Sequence, residues 1–408
     1  MNYIERNFSY KSAAEKTVRL IGGVSCGKIF NAYDGDDGLK LRFMPVNTGY
    51  TAAFSAASAG YESDAGDMFI VSGGGLYCKP SGEKAFSLIA ENLARTPFFA
   101  EYDDVAIISD GVTDYTYTGG VLTSVAAPKA LYGGCVHYSR LFGADLSDGY
   151  IVRWTAAGGY DDWTEGIRGS GWLRLPPEGG KILRLIPFGG KLIAVREKGL
   201  SVIRIYGETE NFRINTSDTQ TESVIPGTAA VCGGKLFFAT ATGLYSFNGS
   251  DIAREAEAAL DGLGWITCGH GCGNFYFASL YLDGDNVLAC IDCERGETSF
   301  CNISPDCIFG RGEAYLPSEG AVYRLAYPAY SLAWNSGYTD LGEHSKKFIK
   351  SVYIGCGEAC DLTVESGGVS RIFAGVKGKV KVKMSGEKFR FKLNSEAEVN
   401  SFDVCFTV

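Results

Sequence analysis

"HYSRLFGADLSDGYIVRWTAAGGYDDW" (His137–Trp163) holds a short apolar strand, a polar turn, a second strand and a Gly- and Asp-rich exit carrying two tryptophans. Short apolar runs bounded by turn residues read as strands. The chain repeats this unit and almost never shows a helical period.

Six further segments share the pattern: "AGDMFIVSGGGLYCK" from Ala65, "YDDVAIISDGVTDYTYTGG" from Tyr102, "FGGKLIAVREKGLSVIRIYG" from Phe188, "CGGKLFFATATGLYSFNGS" from Cys232, "CGNFYFASLYLDGDNVLACID" from Cys272 and "RGEAYLPSEGAVYRL" from Arg311. Aligning the strand cores at Phe69, Ala106, Leu141, Leu192, Leu236, Phe275 and Ala314 gives intervals of 37, 35, 51, 44, 39 and 39 residues. Four short strands and their turns need about 40 residues, the size of one propeller blade. A sandwich also has many strands, but not seven copies at this spacing. The expectation is all-β: a β-propeller of six to eight blades, seven favoured, followed by a small C-terminal β-sandwich-like domain.

Composition agrees. Of 408 residues, 46% are apolar and 21% charged, enough for a core and too few charges for disorder. The 54 glycines suit tight turns, and the 24 Phe and 23 Tyr suit half-buried pleated surfaces. The expected division is an N-terminal arm with ring-closing strands over 1–60, the propeller over 61–330 and the β-domain over 331–408. In the last of these, "FIKSVYIG", "CDLTVES", "KVKVKM", "KFRFKLN" and "SFDVCFTV" read as strands.

The net charge of −9 argues against a surface that binds nucleic acid throughout, but the charge is uneven. Residues 343–408 hold 11 Lys and Arg against 8 Asp and Glu, and the remainder holds 27 against 39. The opening "MNYIERNFSYKSAAEKT" has charges where a signal peptide needs an apolar core, and no stretch approaches the roughly 18 apolar residues of a membrane span. No membrane partner and folding in a reducing cytoplasm are expected. The 13 cysteines then serve as small buried hydrophobes.

Signals for catalysis are weak. The only histidines are His137, His270 and His344, with no nucleophile elbow and no H-E-x-x-H. Asp103, Asp104, Asp145, Asp148, Asp161 and Asp162 could supply a glycosidase pair, but their contexts are turn-like. Sialidase propellers carry a repeated S-x-D-x-G-x-x-W box, which is absent. Cys268, His270, Cys272, Cys290, Cys293, Cys301 and Cys307 could suggest zinc, yet their spacing puts them on different strands of one blade. "YDGDDG" (33–38) and "LDGDNV" (282–287) lack a full calcium-loop pattern and read as hairpin turns. Trp154, Trp163, Trp172, Trp265 and Trp334 are expected in the core rather than in a sugar platform. No enzyme activity, metal or cofactor is expected.

One stretch stands out. In "KGKVKVKMSGEKFRFKLN", Lys377, Lys379, Lys381 and Lys383 alternate with small or apolar residues, as do Lys388, Arg390 and Lys392 after the turn Ser385-Gly386. Period two sends cations to one face and apolar groups to the other, so the stretch reads as a hairpin with a basic outer face. Such a face either guards an exposed strand or docks onto an acidic protein ring or DNA.

The segment "LTSVAAPKALYGGCVHYSRLFGADLSDGYIVRWTAAGGYDDWTEG", followed by "PPEGGKILRLIPFGGKLIAVREKGLSVIRIYG", resembles propeller-type neck and tail structural proteins of tailed bacteriophages, including packaged-DNA stabilisation proteins. The residues carrying the likeness are Arg140-Leu141-Phe142, Arg153-Trp154-Thr155, Asp162-Trp163 and Leu185 to Leu192, with "W-x-S-G", "DLG" and "F-R-F" in the C-terminal part. The resemblance implies a non-enzymatic virion protein of the neck or tail. Its partners would be other virion proteins and further copies of itself, with DNA contact through the basic hairpin as an alternative. It would be assembled in the bacterial cytoplasm, stabilising packaged DNA or continuing the tail conduit. The rival is a tail-borne propeller that binds or hydrolyses host-surface glycans. The shared motifs are packing motifs and transfer no catalytic residue.

Overall fold

Strands dominate the computed structural model, which describes residues 15–21, 28–35, 38–51, 54–166, 168–215, 219–257, 259–329 and 331–408. Among them no helix is long and apolar enough to cross a membrane. The chain divides into two compact units, 45–325 and a second built from 1–44 with 326–408.

The first unit is a seven-bladed propeller. Six antiparallel sheets follow in chain order, beginning at Ala59–Glu62, Phe98–Tyr102, Leu131–His137, Ile182–Phe188, Ala230–Cys232 and Leu263–Cys272. Each runs as a meander of four strands pairing in chain order, and in the fourth sheet Thr219–Gln220 also pairs with Gly199–Arg204. The seventh pairs Tyr315–Ser318, Ala321–Ala326 and Met44–Asn47, so a strand from before the first blade completes the last. A bridge between Phe309 and Tyr315 starts this blade on its inner side, with Tyr315 N–H donating to Phe309 O at 2.7 Å. The repeat positions Phe69, Ala106, Leu141, Leu192, Leu236 and Phe275 all fall on the second strand of their blade, and Ala314 immediately precedes its strand.

Glycine makes this meander possible at its turns. Gly189-Gly190 and Gly233-Gly234 sit at φ 55° and 72° and at 52° and 74°, the paired positive values of a two-residue hairpin. Apolar faces then stack blade on blade: Phe69 and Val71 on Ala106 and Ile108, Phe142 and Trp154 on Leu185 and Leu192, Val195 and Val202 on Leu236 and Phe238. Met68 and Ile70 pack with Phe309 and Tyr315, which closes the ring. At that seam a Cβ on Gly60 would lie 2.1 Å from the Phe309 ring, so only glycine fits.

The second unit is a β-sandwich. One sheet runs Ala32–Gly35, Gly38–Leu41, Val399–Thr407, Lys347–Cys356, Gly378–Gly386, with Glu15–Ile21 also pairing Val399–Thr407. The other contains Lys28–Phe30, Leu332–Thr339, Phe389–Ser395, Cys360–Ser366 and Val369–Val376. Between them Phe402 meets Trp334 and Phe391, with ring centroids 5.0 and 5.4 Å apart.

Two expectations change here. The N-terminal segment divides: Met44–Asn47 closes the ring, whereas Leu20, Ile21, Ile29, Ala32 and Leu39 are buried in the sandwich core. The basic hairpin is not a hairpin. Gly378–Gly386 pairs with Lys347–Cys356 in one sheet, and Phe389–Ser395 pairs with Leu332–Thr339 and Cys360–Ser366 in the other. Alternation alone permits both arrangements, because both sheets present an apolar face to the same core.

Candidate functional site

The seven cations expected on one face are therefore split. Lys379, Lys381 and Lys383 are exposed on an edge strand whose Val382 and Met384 are buried. Beside them, Tyr353 lies opposite Lys379 and Phe348 opposite Ser385, with 51% and 39% of their surface exposed. The edge itself is guarded. The register shifts near Lys383, which has φ 53°, and Arg371 of the other sheet donates to Val382 O at 2.7 Å.

Arg390 and Lys392 lie on an inner strand of the second sheet and are engaged locally. Arg390 Nε donates to Asn335 Oδ1 at 2.9 Å, its guanidinium lies over Tyr338, and Lys392 pairs with Glu365 at 2.8 Å. Lys377 donates to Gly357 O, and the carbonyl of Lys388 accepts from Ser366 Oγ at 2.7 Å.

The aspartates act mainly in turns. Asp145 accepts from Ser147 N–H at 2.8 Å and pairs with Arg153, and Asp162 caps Thr164 N–H. Burial pushes the Asp145 carboxyl up, but the hydrogen bonds from Ser147 and Arg153 win and hold it down at about 2. Among the described residues, no three His, Cys, Asp or Glu groups converge to hold a metal. His270 Nε2 lies 2.7 Å from Gly310 O, Cys272 Sγ faces Arg311 O at 3.2 Å, and Cys232 and Cys293 face each other across two blades. Asp283-Gly284 forms the hairpin turn read for 282–287, with φ 49° and 94°. Of the 33–38 loop, residues 36 and 37 lie outside the described residues.

The tryptophans also divide. Trp154 and Trp334 are buried, but Trp172 and Trp265 are 60% and 52% exposed, contrary to the packing expectation. Trp265 stacks on Tyr281 at 4.1 Å, and Trp172 borders an open cleft with Glu165, Thr209 and Glu210.

Sequence reasoning missed three arginines. Arg140 of the "RLF" motif is buried and donates to Thr155 O, Gly169 O and Arg168 O at 2.6 to 2.9 Å, tying down the loop that exits blade three. Arg196 is buried and donates to Gly180 O and Ser201 Oγ. Arg184 points into a central cavity of about 730 Å³, walled by the first strands of blades one to four and by 225–229. An adjoining cavity of about 350 Å³ continues past Arg184 to blades six and seven. The available signal was a cation inside an apolar strand, as in "ILRLIPF" (182–188).

No protein-family model matches this sequence, and no curated protein does. Solved structures with a similar arrangement include a chain of the mitotic checkpoint complex (10% identity, TM-score 0.46, 69% of this chain and 92% of that one). The Neurospora crassa Pan2 WD40 domain is similar at 12% identity and TM-score 0.47, over 71% of this chain and 95% of that one. The extracellular domain of the putative one-component system BT4673 from B. thetaiotaomicron is similar at 12% identity and TM-score 0.49, over 91% of this chain and 62% of that one.

Proposed function

We propose that this protein is a non-enzymatic structural component of the neck or tail of a phage or prophage-like particle, assembling with copies of itself and with adjacent rings. The viral setting rests on the sequence resemblance. The observation that carries the docking role is the row Lys379, Lys381 and Lys383 beside exposed Tyr353 and Phe348. The unit bearing this row holds 18 basic and 14 acidic residues, and the propeller unit holds 20 and 33. The basic face of one copy therefore matches the acidic propeller of the next, and opposed fields of this kind set orientation and encounter rate. With the edge of the strand guarded, docking is by side chains rather than by strand addition. Splitting the cations over two sheets also favours an acidic protein over DNA, which draws on a dense basic patch.

The test is sedimentation and mass measurement of the purified protein at low and moderate salt. Wild type should form salt-sensitive oligomers, and Lys379→Glu/Lys381→Glu/Lys383→Glu should remain monomeric with an unchanged melting temperature. Oligomers unaffected by the triple variant would overturn the reading. A steep salt dependence of DNA binding would replace the protein partner with DNA. Loss of glycan retention in Trp172→Ala would favour the host-surface alternative instead.

A further inference from the structure

The propeller unit is acidic, yet its central cavity is not. Three cations, Arg95, Lys181 and Arg184, line the 730 Å³ space, against one carboxylate, Asp148. That carboxylate is engaged by Arg174, outside the lining. Near the same end, Glu197 accepts the backbone N–H of Lys181 at 3.0 Å.

Arg184 is the unusual member. Arg140 and Arg196 use their guanidinium groups to hold several loop acceptors, but among the described residues Arg184 donates only to Ala229 O, at 3.3 Å. Among the described residues no carboxylate pairs with it. A guanidinium carries five donors, so most of its fork faces the cavity. The positive charge of Arg184 helps push the nearby His270 down to about 4, after burial. Arg184 is exposed within the cavity, so its unused donors are open to a ligand, and a bound anion would supply the counter-charge that the lining lacks.

We infer that the central cavity of the propeller is a binding site for a small organic oxyanion, with its phosphate or carboxylate group on Arg184. The planar fork of arginine matches such groups in a bidentate manner. Lys181 and Arg95 supply further positive charge, and Phe98, Leu183 and Val195 give an apolar wall for the body of the ligand. The volume falls within the roughly 300–1,000 Å³ of small-molecule pockets. Neither the docking row nor the viral setting enters this argument.

The test is calorimetric titration of the full chain with pyrophosphate and, separately, citrate at low ionic strength. Saturable one-to-one binding of at least one probe is expected, and which one saturates separates phosphate from carboxylate chemistry. Arg184→Gln should weaken it about tenfold or more, the loss expected for a charge-assisted hydrogen bond. Lys379→Glu/Lys381→Glu/Lys383→Glu should bind as wild type, which excludes attraction to the sandwich face. No saturable heat with either probe, or an unchanged affinity in Arg184→Gln, would overturn the inference. If near-ultraviolet dichroism shows that Arg184→Gln is misfolded, Arg95→Gln/Lys181→Gln takes its place, and unchanged affinity in that pair would overturn it equally.

Discussion

In the first six propeller blades four strands pair in chain order, whereas in the sandwich Val399–Thr407 pairs with Glu15–Ile21, more than 350 residues away. Both units cover apolar sheet faces. The propeller does so by repeating a local unit until it closes, and the sandwich does so by bringing distant segments together. Local pairing needs only short loop closures, while non-local pairing depends on segments far away in sequence. The two units also differ in the sign of their net charge.

The largest consequence falls on the sandwich. Deleting residues 1–43 removes the strand paired with Val399–Thr407 and the buried side chains Leu20, Ile21, Ile29 and Leu39. At about 1.5–3 kcal/mol for each buried aliphatic side chain, the loss rivals the whole stability of a domain. Hydrogen exchange should show slow amides lost throughout 347–407 and retained across 59–301. Protection persisting in 347–407 would show that the N-terminal strands are dispensable, and the contrast between the units would fail.

The same contrast explains what could be read in advance. Six copies of a local meander and the local hairpin of a seventh blade leave a spacing in the sequence, so the blades are visible from Phe69 to Ala314. The strands of the sandwich were visible too, but not their partners. "KVKVKMSGEKFRFK" satisfies period two whether its strands pair with each other or lie on facing sheets, because Val380, Val382, Phe389 and Phe391 are buried in one core either way. The segment 15–41 carries apolar residues without a repeat, so nothing in its pattern announces a partner more than 350 residues away. Arg184 escaped notice for a related reason. Its role depends on four neighbouring blades converging on it, which no single strand encodes.

A middle-sized effect should separate the units by pH. Burial, with a contribution from Arg184, lowers the His270 pKa to about 4 from an ordinary value near 6.5, despite the hydrogen bond to Gly310 O. The unfolded chain then binds this proton more tightly than the folded one. Stability is full above about pH 6.5, falls as the pH drops toward 4, and levels off below it, by about 3 kcal/mol from this group. Asp145, held at about 2, loses its contribution only below its ordinary value of 3.8, in a separate and lower window. Urea titrations between pH 7 and 4.5 should show the propeller transition moving, and His270→Asn should flatten that dependence. An equally steep fall in the variant would assign the acid sensitivity to other groups.

The smallest effect tests whether the two sheets of the sandwich are as independent as their strand pairing suggests. Lys392 and Glu365 form an ion pair at 2.8 Å, with 40% and 22% of their side chains exposed. Solvent and salt screen such a pair, so Lys392→Ala should cost toward the low end of about 0.2–1 kcal/mol. It should leave self-association untouched, because Lys392 lies on a different sheet from Lys379, Lys381 and Lys383. Lys379→Ala should do the reverse, with stability unchanged within about 0.5 kcal/mol and association weakened. Measuring both variants by urea denaturation and by sedimentation gives a two-by-two comparison. If Lys392→Ala weakens association as much as Lys379→Ala does, the docking surface must extend over both sheets. The seven cations would then act together after all, despite belonging to strands that never pair.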